Sequence, residues 1–189
     1  MKTFLISLKV FLILTIITGV IYPLSINLIG NIIFPNQSKG SLINKDGKVI
    51  GSELIGQKFD STIYFHSRPS AIDNQPMPSG GSNLGPTSTA LKQRMDSLSN
   101  AFITYNGLPN NTLVPIDAIT ASGSGIDPHI SFENANFQIE RICKARGFDE
   151  VKKNKLKGLL NDLTEKPTFG FLGDTRINVL KLNMELDKL

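Results

Sequence analysis

The sequence predicts an α+β fold: a single N-terminal transmembrane helix followed by one extracytoplasmic mixed domain, a small sheet with packed helices. Three observations lead to this class. The chain opens with a long uncharged apolar run, its later strand-like and helix-like segments follow no βαβ repeat, and its 189 residues fit one domain with an appendage. The predicted division is 1–34 for the tail and transmembrane helix and 35–189 for the extracytoplasmic domain.

The apolar run predicts a membrane anchor. No charged residue stands between Val10 and Ser38, and twelve residues of the stretch Phe11–Ile29 are Ile, Leu, Val or Phe. Such side chains favour insertion by roughly 5 kcal/mol in total, and about 20 residues are enough to cross a bilayer. We therefore expect a span at about residues 10–30. It is expected to be retained rather than cleaved, because no A-x-A-like site follows it.

Polar and small residues interrupt this run. Pro23 is expected to kink the helix rather than end it, because membrane helices tolerate the lost hydrogen bond when neighbouring groups replace it. Thr15, Thr18 and Gly19 form a small-residue patch. Such a patch is typical of packing against another helix, although these residues are also common in membrane spans generally.

The lysines predict the orientation. Lys2 and Lys9 flank the short N-terminal side, and short positive flanks stay in the cytoplasm. The lysines on the far side begin a long region, and long regions translocate largely regardless of charge. We expect a single-pass protein of the cell (inner or plasma) membrane with its N-terminus in the cytoplasm and residues 35–189 outside.

The extracytoplasmic region begins with strand signals. Asp46-Gly47 is a favoured two-residue turn, and Leu42-Ile43 and Val49-Ile50 form the arms of a predicted β-hairpin. Ile63 to Phe65 predicts a further strand.

Helical patterns follow. The first predicted helix starts at Thr87 or Ser88 as its N-cap, and the second has Ser131 as its N-cap and Gly147 just after its end. "DEVKKNKLKGLLNDL" predicts a third helix with a basic outer face, and "INVLKLNMELDKL" starts strand-like and ends helical. The apolar face of the first helix has spacings of four, three and four: Leu91, Met95, Leu98 and Phe102.

Composition excludes some classes. The chain is 40% apolar and 19% charged, an ordinary globular mixture. Its net charge of +4 is not gathered into a basic stripe, so we expect no nucleic-acid partner. Cys143 is the single cysteine; it excludes an internal disulfide and is interpreted as a small buried hydrophobe.

The segment "TASGSGIDPHIS" places Ser124, Asp127 and His129 close together in sequence. A nucleophile elbow has glycine two places on either side of its serine, and Ser124 lacks both. His66 with Asp127 and His129 makes only a weak metal-site pattern. We predict no catalytic and no metal site. A membrane-anchored extracellular hydrolase and a stand-alone binding module remain as alternatives.

Two further features could bind anions. Arg68 could clamp a carboxylate or tie a loop to a neighbouring group, and the second interpretation is favoured. The loop "PSGGSNLGPT" precedes a predicted helix, where backbone N–H groups can bind phosphate. The chain contains no Gly-x-x-x-x-Gly-Lys-Ser/Thr pattern, so the loop alone is weak evidence for a nucleotide site.

Taken together, seven collinear motifs resemble the C subunit of the Kdp potassium-transporting P-type ATPase, the KdpC family. The resemblance covers nearly the whole chain. It departs at "GDTRINVL", where relatives often carry Gly-Glu-Pro-Arg. The motifs are "YPL", "GSELIGQKF", "YFHSRPSA", "SGGSNLGPT", "TASGSGIDPHIS", "QIERICKARG" and "RINVLKLNMELD".

The resemblance implies a non-catalytic subunit of a complex that imports potassium with ATP. Its expected partners are a channel-like potassium subunit, a P-type ATPase subunit, a small fourth membrane subunit as an optional member, and the lipid bilayer. The family is described as a catalytic chaperone that raises the ATP affinity of the ATPase subunit. No firmly bound cofactor is implied.

The resemblance also marks one loop as a candidate binding site. In the family this loop is likened to the ABC-transporter signature loop, which caps a γ-phosphate. Our predicted orientation places the loop outside, whereas ATP is inside. We therefore expect a turn, a helix entry and an interface, with ATP contact as the less favoured alternative. The loop consists of Ser79, Gly80, Gly81, Ser82 and Asn83.

Overall fold

The computed structural model of the chain describes residues 1–45 and 47–189. It confirms an α+β protein with an N-terminal apolar helix and a small mixed domain. The chain forms two compact units, Met1–Ile50 and Gly51–Leu189. The described ranges contain two sheets of two strands each, where one small sheet was expected.

The first unit consists mainly of the apolar helix, Lys2–Ile33, which is long and apolar enough to cross a membrane by length and composition. Its parts are α1 (Lys2–Ile16), a π-helical turn (Ile17–Ile21) and α2 (Tyr22–Ile33). At 1.5 Å per residue the helix is about 48 Å long, more than the ~30 Å hydrocarbon core of a bilayer. It contains the predicted span.

The helix continues through Pro23, which lies at the start of α2. Proline lacks the N–H that would bond the carbonyl four residues earlier. The π turn lies directly before it, and there the Tyr22 N–H bonds the Ile17 carbonyl, five residues back. The hydroxyls of Thr15 and Thr18 donate to carbonyls one turn earlier, each at 2.8 Å. These bonds lie within one helix and do not test whether the small-residue patch of Thr15, Thr18 and Gly19 packs against another helix, which stays a prediction.

The predicted hairpin is confirmed. β1 (Leu42–Lys45) and β2 (Lys48–Ser52) pair in a two-stranded sheet. Gly47 has a φ of 76°, a conformation that glycine adopts without steric cost. Asp46, the other predicted turn residue, lies outside the described residues.

The second unit is mainly helical, and each of its longer helices begins where a polar side chain caps the backbone. Ser88, Ser131, Asp149 and Asn178 each accept an N–H of the first turn, which confirms Ser88 and Ser131 as N-caps. The helices are α3 (Thr89–Asn106), α4 (Ile116–Ile119), α5 (Phe132–Arg146), α6 (Glu150–Asp162) and α7 (Val179–Leu186).

The core of this unit lies around α5. Its side chains Ala135, Ile139 and Ile142 are at most 2% exposed, and they pack with apolar residues of α6 and α7. Two short strands, β3 (His129–Ile130) and β4 (Ile177–Asn178), pair antiparallel beside them. Because β4 runs directly into α7, the prediction of a strand followed by a helix at this end is confirmed.

The predicted strand at Ile63 to Phe65 is wrong. No strand is assigned to the segment 61–70, although Phe65 is fully buried, as a strand residue there would be. Side chains take the place of a neighbouring strand. The Asn183 amide of α7 accepts from the Phe65 N–H at 2.8 Å and donates to the Phe65 carbonyl at 2.9 Å.

Helix α5 satisfies the rest of this backbone. Arg141 donates to the carbonyls of Thr62 and Tyr64, Gln138 accepts from the His66 N–H, and Arg146 donates to the Ile63 carbonyl. Buried backbone groups must be paired, and amide and guanidinium side chains supply the pairs that a strand would otherwise provide. We call this set of contacts the side-chain clamp.

Candidate functional site

The predicted loop Ser79–Asn83 packs backbone to backbone against a second glycine-rich loop, residues 122–125. The Gly80 N–H donates to the Ser124 carbonyl at 2.9 Å. A Cβ placed on Gly81 would lie 3.1 Å from the Gly123 carbonyl oxygen, and one on Gly125 would lie 2.6 Å from that of Gly80. The absence of side chains at these glycines is what allows the two loops to approach each other.

Ser70 fastens this pair of loops. Its hydroxyl donates to the Gly125 carbonyl at 2.6 Å and accepts the N–H groups of Ile72 and Asn74 at 3.1 and 2.9 Å. The guanidinium of Arg94, on α3, donates to the Ser70 carbonyl at 3.2 Å. The paired loops are thus tied to the side of α3.

The local geometry favours packing over a phosphate cradle. A cradle needs free backbone N–H groups that point at the anion, and the Gly80 N–H is already bonded to Ser124. Helix α3 does not follow the loop directly, because it begins at Thr89. Its N-cap, Ser88, accepts the Leu91 N–H at 3.4 Å. A binding role for residues 79–83 therefore stays a prediction.

Arg68 ties loops together, as the favoured interpretation expected. It donates to the Asp127 carboxylate at 3.1 Å and to the Thr120 carbonyl and hydroxyl at 3.5 and 3.4 Å. The other oxygen of the Asp127 carboxylate contacts the His129 ring nitrogen Nδ1 at 3.2 Å and the His129 N–H at 3.0 Å. The cluster borders a recess of about 510 Å³, which Asp174 and Arg176 also line.

The Asp127 carboxyl has a lowered pKa. Burial alone would raise it, but the hydrogen bonds from His129 and Arg68 together outweigh burial and hold the pKa below its ordinary value of 3.8. A carboxyl with a lowered folded-state pKa stabilises the fold above its unfolded-state pKa, and this contribution is lost as the pH falls through the folded-state pKa.

We therefore expect the wild-type chain to lose stability on acidification below about pH 4, and Asp127→Asn to lose less. Urea unfolding followed by circular dichroism between pH 3 and 6 measures this. Asp174→Asn is the matched control, since the Asp174 carboxylate makes no hydrogen bond or ion pair within residues 1–45 and 47–189. If Asp127→Asn and the control show the same acid dependence as the wild type, the Asp127 cluster makes no pH-linked contribution.

The serine, aspartate and histidine of the same segment do not form a relay in this structure. Asp127 and His129 are in contact, but the Ser124 hydroxyl accepts from the Ile126 N–H at 3.3 Å, and no hydrogen bond joins it to His129 among the described residues. His66 lies apart from this pair and bonds the Ser61 carbonyl at 3.0 Å. Within the described part of the chain, no three His, Cys, Asp or Glu side chains are close enough to share a metal ion.

A second cavity, of about 300 Å³, lies between α3, α5 and the clamped segment. Its polar lining is already engaged: Gln138 bonds both the backbone of His66 and the Asn134 side chain, and Asn106 accepts from Arg141. Burial lowers the pKa of His66, which favours its neutral form. The Gln138 and Asn106 side chains of this wall are thus held by groups of the same unit.

The sequence motifs do not reveal the side-chain clamp. A signal for it exists in α5, where Asn134, Gln138 and Arg141 recur at spacings of four and three beside the apolar stripe. All three are at most 8% exposed. A polar stripe at helical spacing indicates a buried hydrogen-bonding face when it lies next to an apolar one, but the sequence does not say which backbone the face would bind.

These features define a class: a protein with one apolar helix of membrane-spanning length and a separate α+β unit whose polar side chains chiefly hold its own loops. The family model described as "K+-transporting ATPase, c chain" matches residues 4–188. The chain belongs to this family, KdpC, and the resemblance seen in its motifs is confirmed.

Similar proteins cover nearly the whole chain. A Mycobacterium tuberculosis H37Rv protein is 43% identical over 185 residues, 97% of this chain and 96% of its own length. A Methylococcus capsulatus protein is 47% identical over 191 residues, with the same two coverages. A Cereibacter sphaeroides protein is 45% identical over 181 residues, 96% of this chain and 94% of its own length. Each is named "Potassium-transporting ATPase KdpC subunit".

Proposed function

We propose that this chain is a non-catalytic accessory subunit of an ATP-driven potassium-import complex, which it helps to assemble or stabilise. The observation that carries the proposal is the match to the KdpC family over residues 4–188, together with relatives that are named as subunits of a potassium-transporting ATPase. The partners we propose are a channel-like potassium subunit and a P-type ATPase subunit, with a small fourth membrane subunit as an optional member.

The proposed topology is a single span with the N-terminus in the cytoplasm. The apolar helix supplies the span, and Lys2 and Lys9 supply the positive flank that stays inside. Residues 1–34 would then form the tail and anchor, and residues 35–189 the extracytoplasmic domain.

We propose that any effect on the ATP affinity of the complex is transmitted through its subunits, as a coupling free energy between distant sites. An outside domain cannot touch cytoplasmic ATP. The packing of the loop at residues 79–83 supports this proposal, because the Gly80 N–H is engaged by Ser124 and the glycines bring two loops of the same unit together.

A cysteine-labelling experiment tests this topology and with it the mode of action. We expect Ser79→Cys, at an exposed loop position, to react with a membrane-impermeant maleimide added to intact spheroplasts. Native Cys143 gives little background, since it is 6% exposed and burial raises the pKa of its thiol. Thr3→Cys is the control and should react only after the membrane is permeabilised. The reverse pattern would place the loop inside with ATP and contradict the proposal.

A further inference from the structure

The chain turns back on itself directly after the apolar helix. Phe34 is the C-cap of α2 and the last apolar residue before a polar turn. The Ser38 N–H donates to the Phe34 carbonyl and the Ser41 N–H donates to the Asn36 carbonyl, each at 2.9 Å. These bonds hold the start of β1 beside the end of the helix, within the same compact unit. We call residues 36–50 the juxtamembrane segment.

The charge of the juxtamembrane segment is basic. Lys39, Lys45 and Lys48 are all exposed, and among the residues that the structure describes none of the three forms an ion pair. Residues 1–52 contain a single acidic residue, Asp46, so three lysines against one aspartate leave the segment with a net charge of +2. Lysines close to a membrane surface are attracted to anionic headgroups.

The turn brings these lysines close to the bilayer if the apolar helix spans it. The headgroup layer on each side is about 5–8 Å thick. Because Ser41 is bonded to Asn36, two residues beyond the last apolar side chain, the turn that contains Lys39 lies at about the depth of the headgroups. A strand advances about 3.3 Å per residue, so Lys45 lies at most about 13 Å from Ser41. Electrostatic attraction extends over about 8–10 Å at physiological salt.

The side chains of the segment favour lipid over a protein partner. Protein interfaces are depleted in lysine and enriched in arginine and aromatic residues, whereas residues 36–50 contain three lysines, no arginine and no aromatic residue. A lysine is a point charge on a flexible stem, which suits mobile phosphate groups. Leu42 and Val49, which are 51% and 58% exposed, add apolar area that can enter the interfacial layer.

We propose that Lys39, Lys45 and Lys48 bind the phosphates of anionic phospholipids in the leaflet at which the apolar helix ends. This inference goes beyond the proposed function. It needs the helix to cross the membrane, but it depends neither on the direction of crossing nor on any partner subunit. Each lysine at such a surface changes binding about fivefold.

Fluorescence of the full-length chain in lipid vesicles tests the proposal. Asn44→Cys, at an exposed position of β1, carries an environment-sensitive NBD label. Native Cys143 is 6% exposed and takes up little label. The vesicles contain phosphatidylcholine alone or with phosphatidylglycerol, and flotation checks that the chain is inserted. We expect the emission to shift to the blue as phosphatidylglycerol is added. Salt at 1 M, where the Debye length is about 3 Å, should reverse the shift.

Two charge-matched variants isolate the three lysines. The combination Lys39→Gln, Lys45→Gln and Lys48→Gln should lower the ratio of bound to free segment roughly a hundredfold, so that the shift disappears. The control removes three exposed lysines of the second unit that form no ion pair within the described residues: Lys144→Gln, Lys155→Gln and Lys157→Gln. The control should keep the shift. Equal emission in the two lipid mixtures, or an equal response of both variants, overturns the proposal.

Crosslinking in native membranes separates a lipid from a protein occupant. The full-length chain with Asn44→p-benzoylphenylalanine is irradiated and its adducts are identified by mass spectrometry. We expect phospholipid adducts, and we expect them to be lost when the three lysines of the segment are replaced by glutamine. Adducts with protein alone, or none, overturn the proposal. The proposed function is judged by which subunits purify with the chain, and neither crosslinking outcome changes it.

Discussion

Replacing Arg141 with methionine is expected to lower the free energy of unfolding of the second unit by about 3 kcal/mol or more. Arg141 is 8% exposed. Its guanidinium donates to the carbonyls of Thr62 and Tyr64 and to the side-chain oxygens of Asn106 and Gln138. Methionine would fill much of the space but would leave the Asn106 side-chain oxygen and the carbonyls of Thr62 and Tyr64 without this donor, whereas the Gln138 oxygen keeps the His66 N–H. An unsatisfied buried acceptor costs about 1–3 kcal/mol.

One effect reduces this loss, and a second adds to it. Burial lowers the pKa of Arg141, which shows that the charge itself is costly to bury, and methionine removes that cost. Arg141 also lies 5.0 Å from the centre of the Tyr105 ring, a cation–π contact that methionine replaces only in part. We expect the free energy lost with these hydrogen bonds to exceed what is gained by no longer burying the charge.

Urea unfolding of the full-length chain in detergent micelles, followed by circular dichroism, measures the effect. Lys144→Met is the matched control, since Lys144 lies one turn further along α5, is exposed, and makes no ion pair among the described residues. We expect the control to stay within about 0.5 kcal/mol of the wild type. Equal stability of the two variants would show that the side-chain clamp does not hold the segment 62–66.

The second large effect is expected at the paired glycine loops. Gly125→Ala should lower the free energy of unfolding by about 2–4 kcal/mol. Gly125 has a φ of 73°, where an alanine is strained. Its Cβ would also lie 2.5 Å from the Ile72 side chain and 2.6 Å from the Gly80 carbonyl oxygen, so the loops would have to separate.

The neighbouring glycines supply the controls. A Cβ on Gly80 or on Gly123 would meet nothing within 4 Å, and neither residue has a positive φ. We expect Gly80→Ala and Gly123→Ala to unfold close to the wild-type temperature and Gly125→Ala to unfold several degrees lower. If Gly80→Ala lowers the unfolding temperature as much as Gly125→Ala does, steric crowding at Gly125 does not explain the loss, and the prediction is contradicted.

Local signals carried the correct predictions of structure. The structure confirms the hairpin, the N-caps Ser88 and Ser131, and Gly147 at the end of α5. Each of these predictions depends on a few consecutive residues. The apolar run likewise depends on its own residues, and the structure confirms a helix there that is long and apolar enough to cross a membrane by length and composition.

Non-local partners explain what the sequence did not reveal. Ile63 to Phe65 has the composition of a strand, but side chains distant in sequence, such as Asn183, pair with its backbone. No pattern within residues 61–70 predicts that partner. The glycines of residues 79–83 indicated a loop, yet their contact with Gly125 depends on a second loop more than 40 positions away. The composition of residues 79–83 is compatible both with a phosphate-binding loop and with a loop that packs against its own unit.

The most direct test of subunit membership is a purification. The chain would be tagged at its C-terminus, produced under potassium limitation, extracted from native membranes in mild detergent, and purified with whatever accompanies it. We expect a channel-like potassium protein and a P-type ATPase in a fixed ratio to the tagged chain. A chain that purifies alone, with its apolar helix intact, would contradict its assignment as a subunit of a potassium-transporting complex.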